Sequence, residues 1–440
     1  MDFKNKKILV CGMARSGQAA ALALRQLGAN VTATDLREDI SWNYSPEEKG
    51  ILLRLGQAPD DFFAEFELII ISPGISLYAS FVQEAKALGI PVWGEAELAY
   101  RLCPCPMIAI TGTNGKTTVT TIVGEILKRH NPETVIAGNI GIPLTSLVTE
   151  ISSSGMVVAE ISSFQLETIS AFKPKVSAVL NMTEDHLDRH LTMENYIAAK
   201  CRIFENQGQN CFSVLNYDNC ITREMKPTGR VVYFSTREVL ESGVFLKNGE
   251  IFARIKGMGE TSIMPITETK ILPENALAAT ALSLCAGVSA ENINYVLRNF
   301  TGIRHRLEYI STIDGAEYYN DSKATNTDAA IKALEAFDRP IILIAGGYDK
   351  KTDFTPWIKK FFGKVKQLIL IGETSGQISE TCNVLGFSAY EKADSMESAV
   401  SSAKTWAKHG DIVLLSPACA SFGMFKDFEE RGESFRKLIE

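Results

Sequence analysis

A chain of successive α/β domains is what this sequence predicts, and three observations predict it. Short, continuous apolar runs recur, as in strands buried on both faces of a parallel sheet: residues 7–10 (KILV), 68–72 (LIIIS), 107–110 (MIAI), 341–345 (IILIA) and 367–371 (QLILI). Helix-like segments separate them. The length, 440 residues, is too great for one core and suggests about three domains.

The elements follow in order. Residues 16–27 (SGQAAALALRQL) start at a Ser, are rich in Ala and Leu and stop at Gly28, so they read as a helix. Residues 31–35 (VTATD) are β-branched and read as the next strand. A helix over 77–88 ends at Gly89, and 90–93 forms another short strand. This is a doubly wound unit. The segment 101–106 (RLCPCP) carries two prolines and reads as a linker. A second unit follows, with a strand at 107–110, a turn at 111–118, a helix at 119–128 and buried strands at 156–160 and 178–181. From 210 to 264 short strands alternate with Gly and Asn turns, and 275–286 returns to helix. A third unit begins near 301–306 and has strands at 341–345, 367–371 and 411–415. The domains are expected at 1–97, 98–301 and 302–440.

Composition excludes several classes. With 45 basic and 52 acidic residues the formal charge is −7, which disfavours nucleic acid as a partner. Residues 1–9 lack the apolar core of a signal peptide, and no apolar run reaches the ~18 residues of a membrane span. The nine cysteines are irregularly spaced, as expected of a reducing, cytoplasmic setting. Cys103 and Cys105 form a C-x-C without a second pair at zinc spacing and read as free thiols.

The sharpest local signal is Thr111-Gly112-Thr113-Asn114-Gly115-Lys116-Thr117-Thr118, between a strand and a helix. Glycines let backbone N–H groups wrap phosphate oxygens, and the helix start adds partial positive charge. Lys116 supplies a full charge toward the phosphates and Thr117 a hydroxyl for Mg²⁺. Ile110 stands where the usual pattern has its first glycine, so the loop is a shortened variant. Glu160, just beyond a buried strand, is a candidate Mg²⁺ ligand; by position alone it is also a candidate solvated acid. His186 and His190 stand four apart, as two ligands on one helix face would, but lack the Glu of a zinc protease. Lys200, on its own, reads as a surface residue. The turn 12–17 (GMARSG) has Ala14 in place of the second glycine of a dinucleotide fingerprint. It fits either a nucleotide diphosphate, with Asp35 on a ribose, or a plain tight turn.

Taken together, TGTNGKTT (111–118), GNIGIP (138–143), EISSFQLE (160–167), NMTEDHLDRH (181–190), AAKCRIFEN (198–206), NALAA (275–279), GIRHR (302–306), NDSKATN (320–326), GGYDK (346–350) and LSPACASF (415–422) resemble the Mur ligase family along the whole chain. NDSKATN and SPACAS point to the branch that adds D-glutamate to UDP-N-acetylmuramoyl-L-alanine. The resemblance implies a Rossmann-like N-terminal domain for the UDP-sugar, a central P-loop ATPase-like domain, and a Rossmann-like C-terminal domain for the amino acid. It implies ATP with two Mg²⁺ ions, a monomer, and an acyl-phosphate route in peptidoglycan precursor synthesis. The domains would close around their substrates.

The resemblance also implies residue roles. Gly112 through Thr118 would hold the ATP phosphates, with one Mg²⁺ on Thr117 and Glu160. A second Mg²⁺ would sit on His186 and a carbamylated Lys200. Asn275 would reach the adenine, although the 269–275 stretch departs from the family's Gly-x-His-Asn run. Arg306 and Asp321 would contact ATP phosphates and ribose. Ser16, Asp35, Arg37, Ser72, Pro73, Gly74 and Asn139 would hold the UDP substrate, with Asn139 also near the second metal. Lys323, Thr325, Lys350, Ser421, Phe422 and Phe428 would line the D-glutamate side. The alternatives are another Mur ligase or a folylpolyglutamate synthase, a phosphate-loop regulatory protein, and a dehydrogenase resting on the 12–17 turn alone.

Overall fold

The computed structural model describes every residue except Met1, Asn43, Ile140, Met258 and 349–351. The chain forms two compact units, one of residues 1–182 and 192–300, the other of 183–191 and 301–440.

Among the described residues the first unit carries two sheets. The first contains β1 (Lys7–Cys11), β2 (Asn30–Asp35), β3 (Leu52–Leu55), β4 (Leu68–Ile71) and β5 (Val92–Gly94), all parallel, in the order β3-β2-β1-β4-β5. Ile8, Leu9, Val10 and Cys11 are fully enclosed, which explains their unbroken apolar run. The helix Arg15–Gln26 packs Ala20, Ala21, Ala23 and Leu24 inward. Strand order reverses between β1 and β4, so their C-terminal ends open a crevice there.

The second sheet contains β6 (Met107–Thr111), β7 (Thr134–Gly138), β8 (Met156–Glu160), β9 (Val176–Val179), β10 (Phe212–Asn216), β11 (Arg230–Ser235), β12 (Gly243–Lys247), β13 (Glu250–Ile255) and β14 (Gly259–Pro265). Their order is β14-β13-β12-β11-β10-β9-β6-β8-β7. It is parallel from β7 to β12 and antiparallel from β12 through β14. Asn248 and Gly249, both at positive φ, make the tight turn between β12 and β13. The predicted helix at 119–128 starts earlier, at Lys116, and runs to His130. It shares a core with the Ala-rich helix Pro273–Cys285.

The second unit's sheet contains β15 (Glu308–Ile313), β16 (Ala316–Asn320), β17 (Ile341–Ala345), β18 (Val365–Leu370), β19 (Tyr390–Lys392) and β20 (Ile412–Leu415), in the order β15-β16-β20-β17-β18-β19. Only β15 runs antiparallel to its neighbour. The hairpin β15–β16 was not anticipated from the apolar runs, because its outer strand is half-exposed and mixed in polarity. Its turn nonetheless carries the Asp314-Gly315 pair, both at positive φ.

Candidate nucleotide and metal sites

The loop after β6 has a backbone that depends on glycine at two positions. Gly112 lies at φ 146°, and a Cβ there would come within 3.0 Å of the Leu180 Cβ. Gly115 lies at φ 82°, where a Cβ would press to 2.7 Å from the Asn275 side-chain oxygen. Asn181 anchors the loop from beneath. Its Oδ1 accepts from the Asn114 N–H at 2.8 Å, and its Nδ2 donates to the Asn114 carbonyl at 3.1 Å. The Thr113 hydroxyl meets the Tyr196 hydroxyl at 3.2 Å. The helix Lys116–His130 begins without a side-chain cap or an acidic residue in its first turn, which includes Thr117 and Thr118. Its N-terminal dipole therefore faces the loop without a competing carboxylate of its own. The Lys116 ammonium folds back across the loop and donates to the carbonyls of Gly112 at 2.9 Å and Thr113 at 2.7 Å.

Glu160, at the end of β8, is 2% exposed, so it is no solvated loop acid. The Thr117 hydroxyl donates to its Oε2 at 2.7 Å, and the Asn139 amide to its Oε1 at 2.9 Å. This is an all-oxygen and amide array at the edge of the phosphate loop.

Lys200 corrects the expectation of a surface lysine, being 1% exposed. Its Nζ donates to the Gly112 carbonyl at 2.9 Å and the Thr111 hydroxyl at 3.3 Å, and lies 4.8 Å from the centre of the Tyr196 ring. The helix Met193–Cys201 turns this position inward against the loop. Position in sequence alone did not reveal that orientation.

At the crevice of the first sheet, Asp35 closes the end of β2. Its carboxylate accepts from the Met13 N–H at 2.7 Å and pairs with the Arg37 guanidinium at 3.1 Å. Burial pushes its pKa up, but the bonds from Arg37 and the Met13 N–H outweigh it and bring the pKa down to about 2. Gly12 turns at φ 86°, and its carbonyl accepts from the Ser72 hydroxyl at 2.6 Å. A Cβ on Gly17 would overlap that same carbonyl, so the turn needs both glycines while tolerating Ala14, which is exposed. Ser16 lies in the first turn of an uncapped helix. Pro73 and Gly74 form the turn after Ser72, and the space beside Gly74 is open.

In the second unit, His186 is not on a helix face with His190. It sits at φ 54° as the left-handed residue before the four-residue helix Leu187–His190, so the i, i+4 geometry does not apply. His186 Nε2 lies 3.6 Å from Asp185 Oδ2, which accepts from the Asn326 amide at 3.2 Å. His186 is thus carried by the second unit and Lys200 by the first.

Asp321 is fully enclosed, with the Ser416 hydroxyl at 2.9 Å, the Leu307 N–H at 3.2 Å and Arg306 at 4.0 Å. Burial raises its pKa to about 6, against the pull of Arg306 and these donors. Lys323 Nζ lies 4.8 Å from the centre of the Phe428 ring, and Thr325 donates its N–H to the Lys323 carbonyl. Ser421 is buried; Phe422 is exposed and meets the Tyr348 ring edge-on. Lys350 lies outside the described residues. Sequence reasoning missed Arg431, which is 1% exposed and binds the Ser322 hydroxyl at 3.0 Å, the Ser322 carbonyl at 2.8 Å and the Cys419 carbonyl at 3.1 Å. It ties the 320–326 loop to the 415–422 segment. As one arginine in a charged terminal helix, it carried no distinguishing signal.

Among the described residues no three His, Cys, Asp or Glu side chains gather as a ready-made metal cluster.

Comparison with known proteins places these features in context. Residues 6–94 match the "Mur ligase MurD-like, N-terminal domain", 110–282 the "Mur ligase middle domain" and 305–419 the "Mur ligase, glutamate ligase domain". A UDP-N-acetylmuramoylalanine–D-glutamate ligase of Caldanaerobacter subterraneus subsp. tengcongensis is 45% identical, covering 100% of this chain and 99% of the relative. The enzyme of the same name from Alkaliphilus metalliredigens is 46% identical over the same shares of each chain. In fold, the chain is similar to UDP-N-acetylmuramate-alanine ligase from Thermotoga maritima, with a TM-score of 0.62 at 18% identity, covering 98% of this chain and 99% of the other.

Proposed function

The chain belongs to the Mur ligase family, and we propose that within it the protein joins D-glutamate to UDP-N-acetylmuramoyl-L-alanine at the expense of ATP, in the cytoplasmic synthesis of peptidoglycan precursors. Residues 1–97 are taken as the UDP-sugar domain, 98–301 as the ATP domain and 302–440 as the amino-acid domain. The observation that carries the reading is the phosphate loop at the end of β6, with Lys116, Thr117 and Glu160 converging on it, in a chain so similar to D-glutamate ligases throughout its length.

The residues present fit the groups that the reading requires. A hard cation such as Mg²⁺ takes oxygen ligands and completes its shell with water and substrate phosphate, so one buried carboxylate and a hydroxyl are an adequate protein contribution. Glu160 and Thr117 would hold it, oriented by Asn139. Mg²⁺ there would neutralise phosphate charge during transfer. Lys200, as a carbamate, would offer anionic oxygens for a second ion from the position where its ammonium donates to the Gly112 carbonyl and the Thr111 hydroxyl. His186 keeps its assignment as a metal ligand.

Each residue then has a chemical task. A carboxylate must approach a polyanionic triphosphate, and a single pair of like charges at 4 Å repels by about 4 kcal/mol at an effective dielectric of 20. The loop N–H groups and Lys116 offset that repulsion and hold the terminal phosphoryl group in line. The L-alanyl carboxylate oxygen takes the phosphoryl group, and the P–O bond to ADP breaks. The D-glutamate amine then attacks the acyl carbon, loses a proton, and inorganic phosphate leaves. Asn275 is assigned to adenine, Arg306 and Asp321 to the ATP phosphates and ribose, and Lys323 to the acyl phosphate. Thr325, Lys350, Ser421, Phe422 and Phe428 are assigned to D-glutamate. Ser16, Asp35, Arg37 and residues 72–74 are assigned to the uridine diphosphate.

Coupled phosphate release with ATP, UDP-N-acetylmuramoyl-L-alanine and either D- or L-glutamate tests the reading. Release that depends on both the UDP-sugar and D-glutamate is expected. Equal release without the UDP-sugar, or with L-glutamate in place of D-glutamate, would refute it.

A further inference from the structure

The C-x-C of the linker lies outside the residues assigned to the ligase reaction, and its two sulfurs lie close together at an accessible surface. Cys103 caps the end of the helix Glu95–Leu102, and Cys105 follows one proline later. Their sulfurs lie 3.6 Å apart, and the Cys103 Sγ is also 3.3 Å from the Cys105 carbonyl. Both are partly accessible, unlike the buried Cys11, Cys211, Cys285, Cys382 and Cys419. They line a surface pocket of about 630 Å³ whose wall also carries Arg101, Lys173 and Lys175. A peroxide-sized oxidant can enter such a pocket and reach both sulfurs.

We propose that Cys103 and Cys105 form a reversible dithiol–disulfide site, oxidised by hydrogen peroxide or an organic hydroperoxide. The chemistry balances as two steps. The Cys103 thiolate attacks the peroxide, taking one oxygen as a sulfenic acid and releasing water, or an alcohol, after protonation. The Cys105 sulfur then attacks the sulfenic sulfur, forming the S–S bond; its own proton and the sulfenic hydroxyl leave as water. Two electrons pass from the sulfur pair to the peroxide. Burial, then the charge and hydrogen bond of Cys103, push the Cys105 thiol up to about 12, so Cys105 is a poor attacking thiolate and is written as the resolving sulfur. The sulfurs need approach by only about 1.5 Å to reach the ~2.05 Å of a disulfide. A ring closed over a single intervening residue is strained, so reducing thiols reopen it readily.

The test uses the full chain, treated with hydrogen peroxide, alkylated, digested and weighed. The peptide spanning 102–116 is expected to lose two hydrogens, to escape alkylation at both cysteines together, and to recover after dithiothreitol. Cys105→Ser is expected to accumulate a dimedone-reactive sulfenic acid at Cys103, while Cys103→Ser leaves Cys105 largely unmodified. Both cysteines remaining alkylatable in the treated wild type would overturn the proposal. So would a bridge from either one to Cys211 or to a second chain, or preferential dimedone labelling of Cys105.

Discussion

Replacing Glu97 should loosen the first unit at the point where its two sheets are joined. Glu97 lies on the helix Glu95–Leu102, directly after β5, and is fully enclosed. Its carboxylate accepts from the backbone N–H groups of Ser170 at 2.8 Å, Ala171 at 2.9 Å and Phe172 at 3.0 Å, and from Arg101 Nε at 2.6 Å. Hydrogen bonds to a charged acceptor are worth ~1.5–3 kcal/mol each, and a buried donor left alone costs ~1–3 kcal/mol. Ser170 is exposed and can turn to water, Ala171 is half-buried, and Phe172 is enclosed. Glu97→Ala therefore orphans one donor fully and one in part, besides stranding Arg101. We expect a loss of about 3–5 kcal/mol, the range for breaking a buried charge pair from one side. Glu97→Gln keeps one acceptor oxygen but sets an amide N–H₂ against an N–H, for about half that cost. Urea unfolding followed by emission in a background with Trp42, Trp357 and Trp406 replaced by Phe reads it through Trp93, because the Arg101 guanidinium lies 4.2 Å over that ring. A first-unit transition in Glu97→Ala within ~0.5 kcal/mol of wild type would show that the carboxylate is no anchor.

Three further outcomes are expected. Lys116→Ala should cut turnover by roughly 100-fold or more, on the scale of losing a preorganised transition-state donor, while thermal stabilisation by UDP-N-acetylmuramoyl-L-alanine persists; near-normal phosphate release would contradict the loop assignment. Lys200→Ala should be nearly inactive and recover in part with added short carboxylic acids, whereas full activity without them would make Lys200 a bystander. Asp321, with its folded pKa raised to about 6, binds its proton more tightly folded than unfolded, so its contribution is greatest below about pH 4 and is lost as pH rises through 6. A shift of about two units corresponds to about 3 kcal/mol, so the stability of Asp321→Asn relative to wild type should rise across pH 4–7; a flat or opposite difference in denaturant titrations would remove the claim.

Much of the fold was legible because parallel strands enclosed on both faces leave an unbroken apolar signature, as at 341–345, which is β17. The 111–118 loop was legible for a related reason. Gly112 and Gly115 occupy backbone conformations and close approaches that a side chain would obstruct, so chemistry and sequence coincide there. What escaped notice was set by tertiary orientation. The edge strand Leu52–Leu55 is half-exposed and shows no clean pattern. Lys200 was picked out only through the family resemblance; by its own position it reads like any helical lysine until the helix is docked and its ammonium is found donating to the Gly112 carbonyl. Arg431 and Glu97 escaped for the same reason: each is a charged residue on a helix, ordinarily a solvent-facing position, turned inward because backbone groups far away in sequence need its hydrogen bonds. Such residues are recognisable only by the partners that offset their desolvation. The glycines of the 111–118 loop were therefore easier to find from sequence than buried charges such as Glu97 and Arg431.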